Sequence, residues 1–443
     1  MSHAAATTTA FEETPEYRAN LLAGPQKIAL LAAAGGLVLF AVLGIALGLG
    51  GNDGFAPVFA SYLTAFMFWV SIGIGSVFFL LIQYVTGGRW GILLRRPLEA
   101  NSKTLLLGFF LFLPVMVSFF GGENSPYWWA RHEDHVEPQV EAAKTDSPFF
   151  RKSVVNPDLS ADENKKKNEW LFPWFTALRG AIYFSLFGAL VFVMNKFAMT
   201  AEYDPNEEVA RIARSRQKYV ASFGLFLFAI TLTLLATDWV MSLDMTFTSS
   251  MFPVIVFDNA AITAYSVGLI TLLYLKRKGH PQFVDLFPSG EQIHLGSLLL
   301  AFTLGWTYFN FSQYMLIWIG NLAEEIPYYM KRTRGGWGWY VLIMIAFHFC
   351  VPFMLLLFRH VKANESALRS VALGLLAVCF ADVMWWINPS QTHTGANYSW
   401  LMDVSAWVGV GGVWVWYFLG QLKKHPFLPS REVYLLEAYH HGH

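Results

Sequence analysis

Residues 237–243, TDWVMSL, place a carboxylate, Asp238, at the end of a long apolar run, YVASFGLFLFAITLTLLA. Isolated charges recur inside other apolar runs: Arg179, Asp258, Asp382 and Asp403. His348 lies in the middle of IMIAFHFCVPF, and the paired acids Glu324 and Glu325 follow directly on another apolar run. An ionisable side chain within hydrocarbon is costly and usually faces a bundle interior, so each is a functional candidate by default. Four Asp against one Arg leave a surplus of acid, and such a layer can carry protons. The competing reading is structural: Arg179 pairs with one Asp to fix helix packing, while the shallower Asp238 and Asp403 cap helices or reach interfacial water. For Glu324 and Glu325 it is a salt bridge to Lys331, Arg332 or Arg334.

His348 invites a haem reading, but a haem crossing a four-helix bundle takes two axial ligands at matching depth on different helices. Of the twelve histidines only His348 is mid-membrane. It reads either as a hydrogen-bonded core residue or as a single ligand, and Pro352 four residues later is expected to kink its helix and free a carbonyl. The two cysteines, Cys350 and Cys379, lie inside apolar spans with no CxxC or Cys/His spacing. Iron-sulfur, zinc and disulfide frameworks therefore lack ligands, and no metal site is expected.

These residues need elements to hold them, and composition says which kind. The chain has 443 residues, 55% hydrophobic, 17% aromatic and only 14% charged, with a mean hydropathy of +0.41. A water-soluble globule does not tolerate that surface. The formal net charge is zero and the basic residues are dispersed, which points away from nucleic acid. About twenty apolar residues cross a bilayer as a helix, because only a helix satisfies its own backbone there. Ten stretches qualify, giving an all-α integral membrane protein: 28–50, 57–85, 104–120, 172–199, 219–241, 252–275, 294–321, 337–359, 367–388 and 400–421. The first is too long for a signal-peptide core and reads as a retained anchor.

An even number of spans puts both termini on one side. Lys and Arg number 20 on that side and 3 in the short loops opposite, so the 1–27 and 422–443 tails are cytoplasmic by the positive-inside rule. The 28–421 region is then the transmembrane domain, with 121–170 facing outward. That segment holds ten acids, seven bases and the aromatics Trp128, Trp129, Phe149 and Phe150, and is either a partner platform or a solvated loop. At about 1.5 Å per residue, Arg179 sits roughly 10 Å below the outer boundary, Asp258 and Asp382 roughly 9 Å, and Asp238 and Asp403 roughly 4 to 5 Å. All five share the outer third.

Other patterns are structural. DPNEEVARIARSRQ reads as a helix start with Asp204 as N-cap and Pro205 at the first position. GIGSVF in span two and GLVLFAVLGIALGLG in span one are small-residue faces for close packing. Trp239, Trp337 and Trp400 near span ends read as interfacial anchors.

Three stretches, FSQYMLIWIGNLAEEIPYYMKRTRGGW, TDWVMSLDMTFTSSMF and GGRWGILLRRPLE, closely resemble the second large membrane subunit of alternative complex III, a bacterial quinol:cytochrome c (or high-potential acceptor) oxidoreductase. That subunit is a distant relative of the NrfD-like and polysulfide-reductase membrane anchors. The similarity continues through the tail HPFLPSREVYLLEA and departs in 121–170. The resemblance implies ten transmembrane helices, the central eight as two four-helix bundles, in a bacterial cytoplasmic membrane. It implies no haem or cluster in this chain, with multihaem cytochrome c and iron-sulfur subunits on the outer face and a sister NrfD-like membrane subunit holding the main quinol site. This chain would then conduct protons or bind a second quinone, menaquinone or ubiquinone. Asp238, Glu324 and Glu325 stand where the family also has acids.

Two other classes compete. A secondary transporter would favour broken helices, repeats and midplane polar sites, whereas the acids here are shallow. A haem-bearing quinol oxidase is opposed by the histidine count.

Overall fold

The computed structural model describes residues 13–50, 54–130, 170–244, 247–322, 325–334, 336–391 and 400–429. Within them the chain is helical and no strand occurs. Its helices are α1 (Pro15–Gly50), α2 (Ala56–Thr86), α3 (Arg89–Ser102), α4 (Thr104–Ser118), α5 (Pro173–Tyr203), α6 (Glu207–Trp239), α7 (Phe252–Arg277), α8 (Pro281–Leu286), α9 (Ser289–Gly320), α10 (Ile326–Thr333), α11 (Gly336–Met344), α12 (Val351–Leu357), α13 (Arg359–Ala363), α14 (Glu365–Ile387) and α15 (Trp400–Leu422).

Among the described residues nine helical stretches are long and apolar enough to cross a membrane, so this is a multi-pass membrane protein. α3 and α4 together make one of them, as do α11, the turn after it and α12. α9 is 32 residues long but is not among the nine. Thr307, Asn310 and Gln313 dilute its apolar character.

Three span starts, those of α1, the third crossing and α6, differ from the hydropathy reading by more than ten residues. α1 begins at Pro15, inside the expected tail, because Arg18 is held by the Lys423 carbonyl (3.0 Å) and the Glu13 carbonyl (2.9 Å). The third crossing begins at Trp90 rather than 104. Its charges are hidden by pairing: Arg95 and Arg96 both bond Glu99 (2.9 and 2.6 Å), and Arg96 reaches Glu202 on α5 (2.5 Å). The start of α6 is also corrected. Asn206, not Asp204, is the N-cap, its side chain accepting from the Glu208 amide, while Asp204 accepts from the Asn206 amide.

Apolar surface gives helices no reason to associate in lipid, so close packing must do so. α2 and α7 cross where a Cβ on Gly75 would collide with the Ala260 carbonyl. α1 and α15 meet just as closely, Gly36 lying against the Gly409 backbone. α2 is enclosed by α4, α6, α7, α14 and α15. α1 is buried over only 22% of its apolar stretch and exposes Leu31, Val38, Ile45 and Leu49. The start of α1 and the end of α15 lie together, Arg18 donating to the Lys423 carbonyl; the opposite end of the helix stack, carrying Trp239, is called distal below.

Candidate functional site

Asp238 closes α6 in full burial. Arg179 of α5 grips both its oxygens, Nε to Oδ2 at 2.7 Å and Nη2 to Oδ1 at 2.9 Å. Tyr183 Oη donates to Oδ2 (2.6 Å) and Trp170 Nε1 to Oδ1 (3.1 Å). Trp170 also lies against the guanidinium face, 4.3 Å from its ring centre. Four donors saturate this carboxylate, so it is built as a clamp between α5 and α6. Trp239 beside it is not an interfacial anchor. It is wholly buried, 4.7 Å from Phe112 and 5.6 Å from Phe66 between ring centres, because the helix end turns inward under the Tyr127 hydroxyl, which donates to its carbonyl.

A second clamp uses a residue that the charge inventory missed. Asp244, six residues after Asp238 in the same motif, pairs with Lys331 (3.0 Å) and Arg332 (2.9 Å) and accepts from Ser390 (2.8 Å). Arg332 is fully buried, sits 3.5 Å from the Tyr328 ring centre and donates to the Trp385 and Trp386 carbonyls. Burial pushes the Asp244 carboxyl up, but Arg332 and Lys331 outweigh it and hold the group well below the usual carboxylate range. Lys331 and Arg332, two of the three cations the sequence offers to Glu324 and Glu325, are thus engaged by Asp244. Glu324 lies outside the described residues, and Glu325 is half-buried at the start of α10.

The third centre joins α7, α9, α14 and the turn between α11 and α12. That turn, Ile345–Cys350, is a π-helix carrying His348. Pro352 explains it: with no N–H, proline cannot bond the carbonyl four residues back, and the ladder widens ahead of it. His348, Asp382, Asp258, Asn259 and Cys379 are each at most 2% exposed. Asp382 Oδ2 accepts from Trp306 Nε1 (2.8 Å) and Asn259 Nδ2 (3.2 Å). His348 Nδ1 is 3.0 Å from the same oxygen but off the line of a hydrogen bond, so the contact is electrostatic. The imidazole stacks on the Trp306 indole, ring centres 4.1 Å apart, and its Nε2 is 3.9 Å from Cys379 Sγ.

Asp258 directly precedes Asn259 on α7. Its Oδ2 has no hydrogen-bond partner among the described residues, and it fits because α9 has glycine opposite: a Cβ on Gly305 would sit 2.9 Å from Oδ1. Asp403 of α15 forms a separate centre, fully buried and accepting from Asn388 Nδ2 at 3.0 Å. These acids therefore do not make one contacting cluster. Asp382, Asp258 and His348 come together, Arg179 and Asp238 form their own pair, and Asp403 stands apart.

The chain matches no protein-family model and no curated protein. His348, Cys379 and Asp382 bring three ligand atoms within 4.8 Å of one another, a metal set that spacing did not signal. Asp382 lies nearest Nδ1 and Cys379 nearest Nε2, and a neutral imidazole has one ring lone pair, so His348 would ligate an ion through one nitrogen only. An imidazole that donates from one nitrogen and accepts at the other can equally exchange protons.

Beside this centre is a cavity of about 650 Å³ lined mostly by aromatic and apolar side chains, among them Tyr314, Tyr329, Trp339 and Phe349, with Asn310, Thr307 and Thr333 as its polar groups. Trp306 is part of its wall. Neither the cavity nor the roles of Trp306 and Asn259 could be found by searching for charges, because both side chains are neutral.

Proposed function

We propose that this chain is a redox-silent integral membrane subunit of a quinol:cytochrome c (or high-potential acceptor) oxidoreductase, and that Asp382, His348 and Asp258 form a proton station within it. The observation that carries the reading is the set of two carboxylates and an imidazole held in full burial beside a cavity. In lipid such a set is costly, and proton handling is the chemistry that repays it. Asp382 and His348 would pass a proton between them, with Asp258 as the second acceptor. Arg179 and Asp238 hold the packing, and Asp403 is a separate buried acid.

In this reading α9 is a tenth crossing, α2 to α6 and α7 to α14 form two four-helix bundles, both termini are cytoplasmic and the distal end faces outward. Quinol oxidation near that face must release protons outward. A sister NrfD-like membrane subunit and outer multihaem cytochrome c and iron-sulfur subunits would supply the redox centres. The aromatic cavity supports a second role, holding a quinone ring, menaquinone or ubiquinone, since flat rings stack on aromatic walls.

The alternative class is a secondary transporter with acidic sites. Purification in mild detergent followed by subunit analysis separates the two. Co-purification with haem-bearing and iron-sulfur subunits is expected; a chain that purifies alone and binds a small solute would contradict the proposal.

A further inference from the structure

The groups that meet Asp382 Oδ2 are Trp306, Asn259 and His348, and of these Trp306 alone also lines the cavity. Trp306 is on α9 and is 6% exposed, whereas Asp382 behind it is 1% exposed. The cavity descends from Thr333 and Gly338, at the corner between α10 and α11, to Trp306, which lies roughly 20 Å along α9 from its distal end. The indole is thus a partition, with the cavity on one side and the buried acid on the other.

A partition made of indole has a definite effect on protons. Hopping along hydrogen bonds requires each member to accept one proton and donate another. The Nε1–H of Trp is a donor with no acceptor lone pair, and here its single hydrogen is committed to Asp382 Oδ2 at 2.8 Å. A proton on Asp382 or His348 therefore cannot pass through Trp306 into the cavity. It passes only when the ring leaves its place and water enters.

The local structure favours such a movement. Besides its packing in the core, the indole makes one hydrogen bond and stacks on His348, and His348 itself rides on the π-helical turn before Pro352, where the helical ladder is already widened. A change of charge on either Asp382 or His348 acts on the indole directly, through its hydrogen bond or its stacked face.

We infer that Trp306 is a gate: it isolates the Asp382–His348 pair from the cavity at rest and swings aside during turnover to let water reach the pair. This deepens the proton-station reading and rests on it, but the gate is read out independently. Cys379, 3.9 Å from His348 Nε2 and wholly buried, is a built-in reporter behind the partition, and replacing the exposed Cys350 by Ser leaves it as the sole thiol of this chain, whose labelling is read on the isolated subunit band. The probe is a cationic, water-soluble methanethiosulfonate added to the intact complex.

At rest Cys379 should be protected. Trp306→Ala and, as a second variant that keeps bulk, Trp306→Leu should label at least about tenfold faster, while Trp306→Phe, which still fills the partition, should stay near the starting rate. With Trp306 in place, turnover with quinol and acceptor should raise labelling severalfold, a response that a fixed packing residue would not give and that needs no substitution at Trp306. Rapid labelling at rest, no acceleration in Trp306→Ala and Trp306→Leu, or no response to turnover would each overturn the gate. The proton station fails separately, if Asp382→Asn leaves proton release unchanged while the labelling pattern holds.

Discussion

Replacing Asp238 by Asn distinguishes a structural clamp from a proton carrier. The carboxylate is fully buried and takes two hydrogen bonds from Arg179, one from Tyr183 and one from Trp170. The amide removes the charge opposite the guanidinium and turns an –NH₂ toward donors. Leaving one member of a buried pair uncompensated costs about 3–5 kcal/mol. At about 2 °C per kcal/mol for a chain of this size, the melting temperature should fall by roughly 6–10 °C. Removing both charges, as Arg179→Met with Asp238→Leu, should recover more than half of that loss, because the bare guanidinium is the main expense. The assay is thermal unfolding of the single and double variants in one detergent, with proton release per electron measured on the same samples. An unchanged melting temperature in Asp238→Asn together with lost proton release would refute the clamp and return Asp238 to the proton route.

A pH dependence follows from the C-terminal segment. Burial first, then the nearby Lys103 and Arg96, hold the His425 imidazole down at about 4 against an ordinary 6.5. The unfolded chain therefore takes up the proton before the folded one does, so the stability His425 contributes is complete above pH 6.5 and is lost as the pH falls toward about 4. His425→Asn, which cannot titrate, should flatten the thermal stability profile across that window, and an identical profile in the variant would contradict the linkage.

Hydropathy carried most of the fold because a bilayer imposes it: a long apolar run has no stable state other than a helix. It missed where pairing hides charge. Arg95, Arg96 and Glu99 looked like a loop, and Glu202 lay unremarked near a span end, since nothing local signals that α3 and α5 bring them together. It also overrated position along the chain: Trp239 is near a span end yet buried inside an aromatic cluster. For the site, the rarity of charge in apolar runs picked out Asp382, Asp258 and His348, but could not say that these three meet while Asp238 is saturated by Arg179. Trp306, Asn259 and Gly305 carry no charge, so the pattern that found the acids passed over the residues that position them.

The most direct test of the proton station is proton release per electron in the intact complex carrying Asp382→Asn, with subunit composition and electron-transfer rate measured on the same preparation and Asp258→Asn as companion. The account predicts normal assembly with depressed proton release, accompanied by slower turnover where the two are coupled. Normal assembly, normal turnover and undiminished proton release in both variants would contradict it.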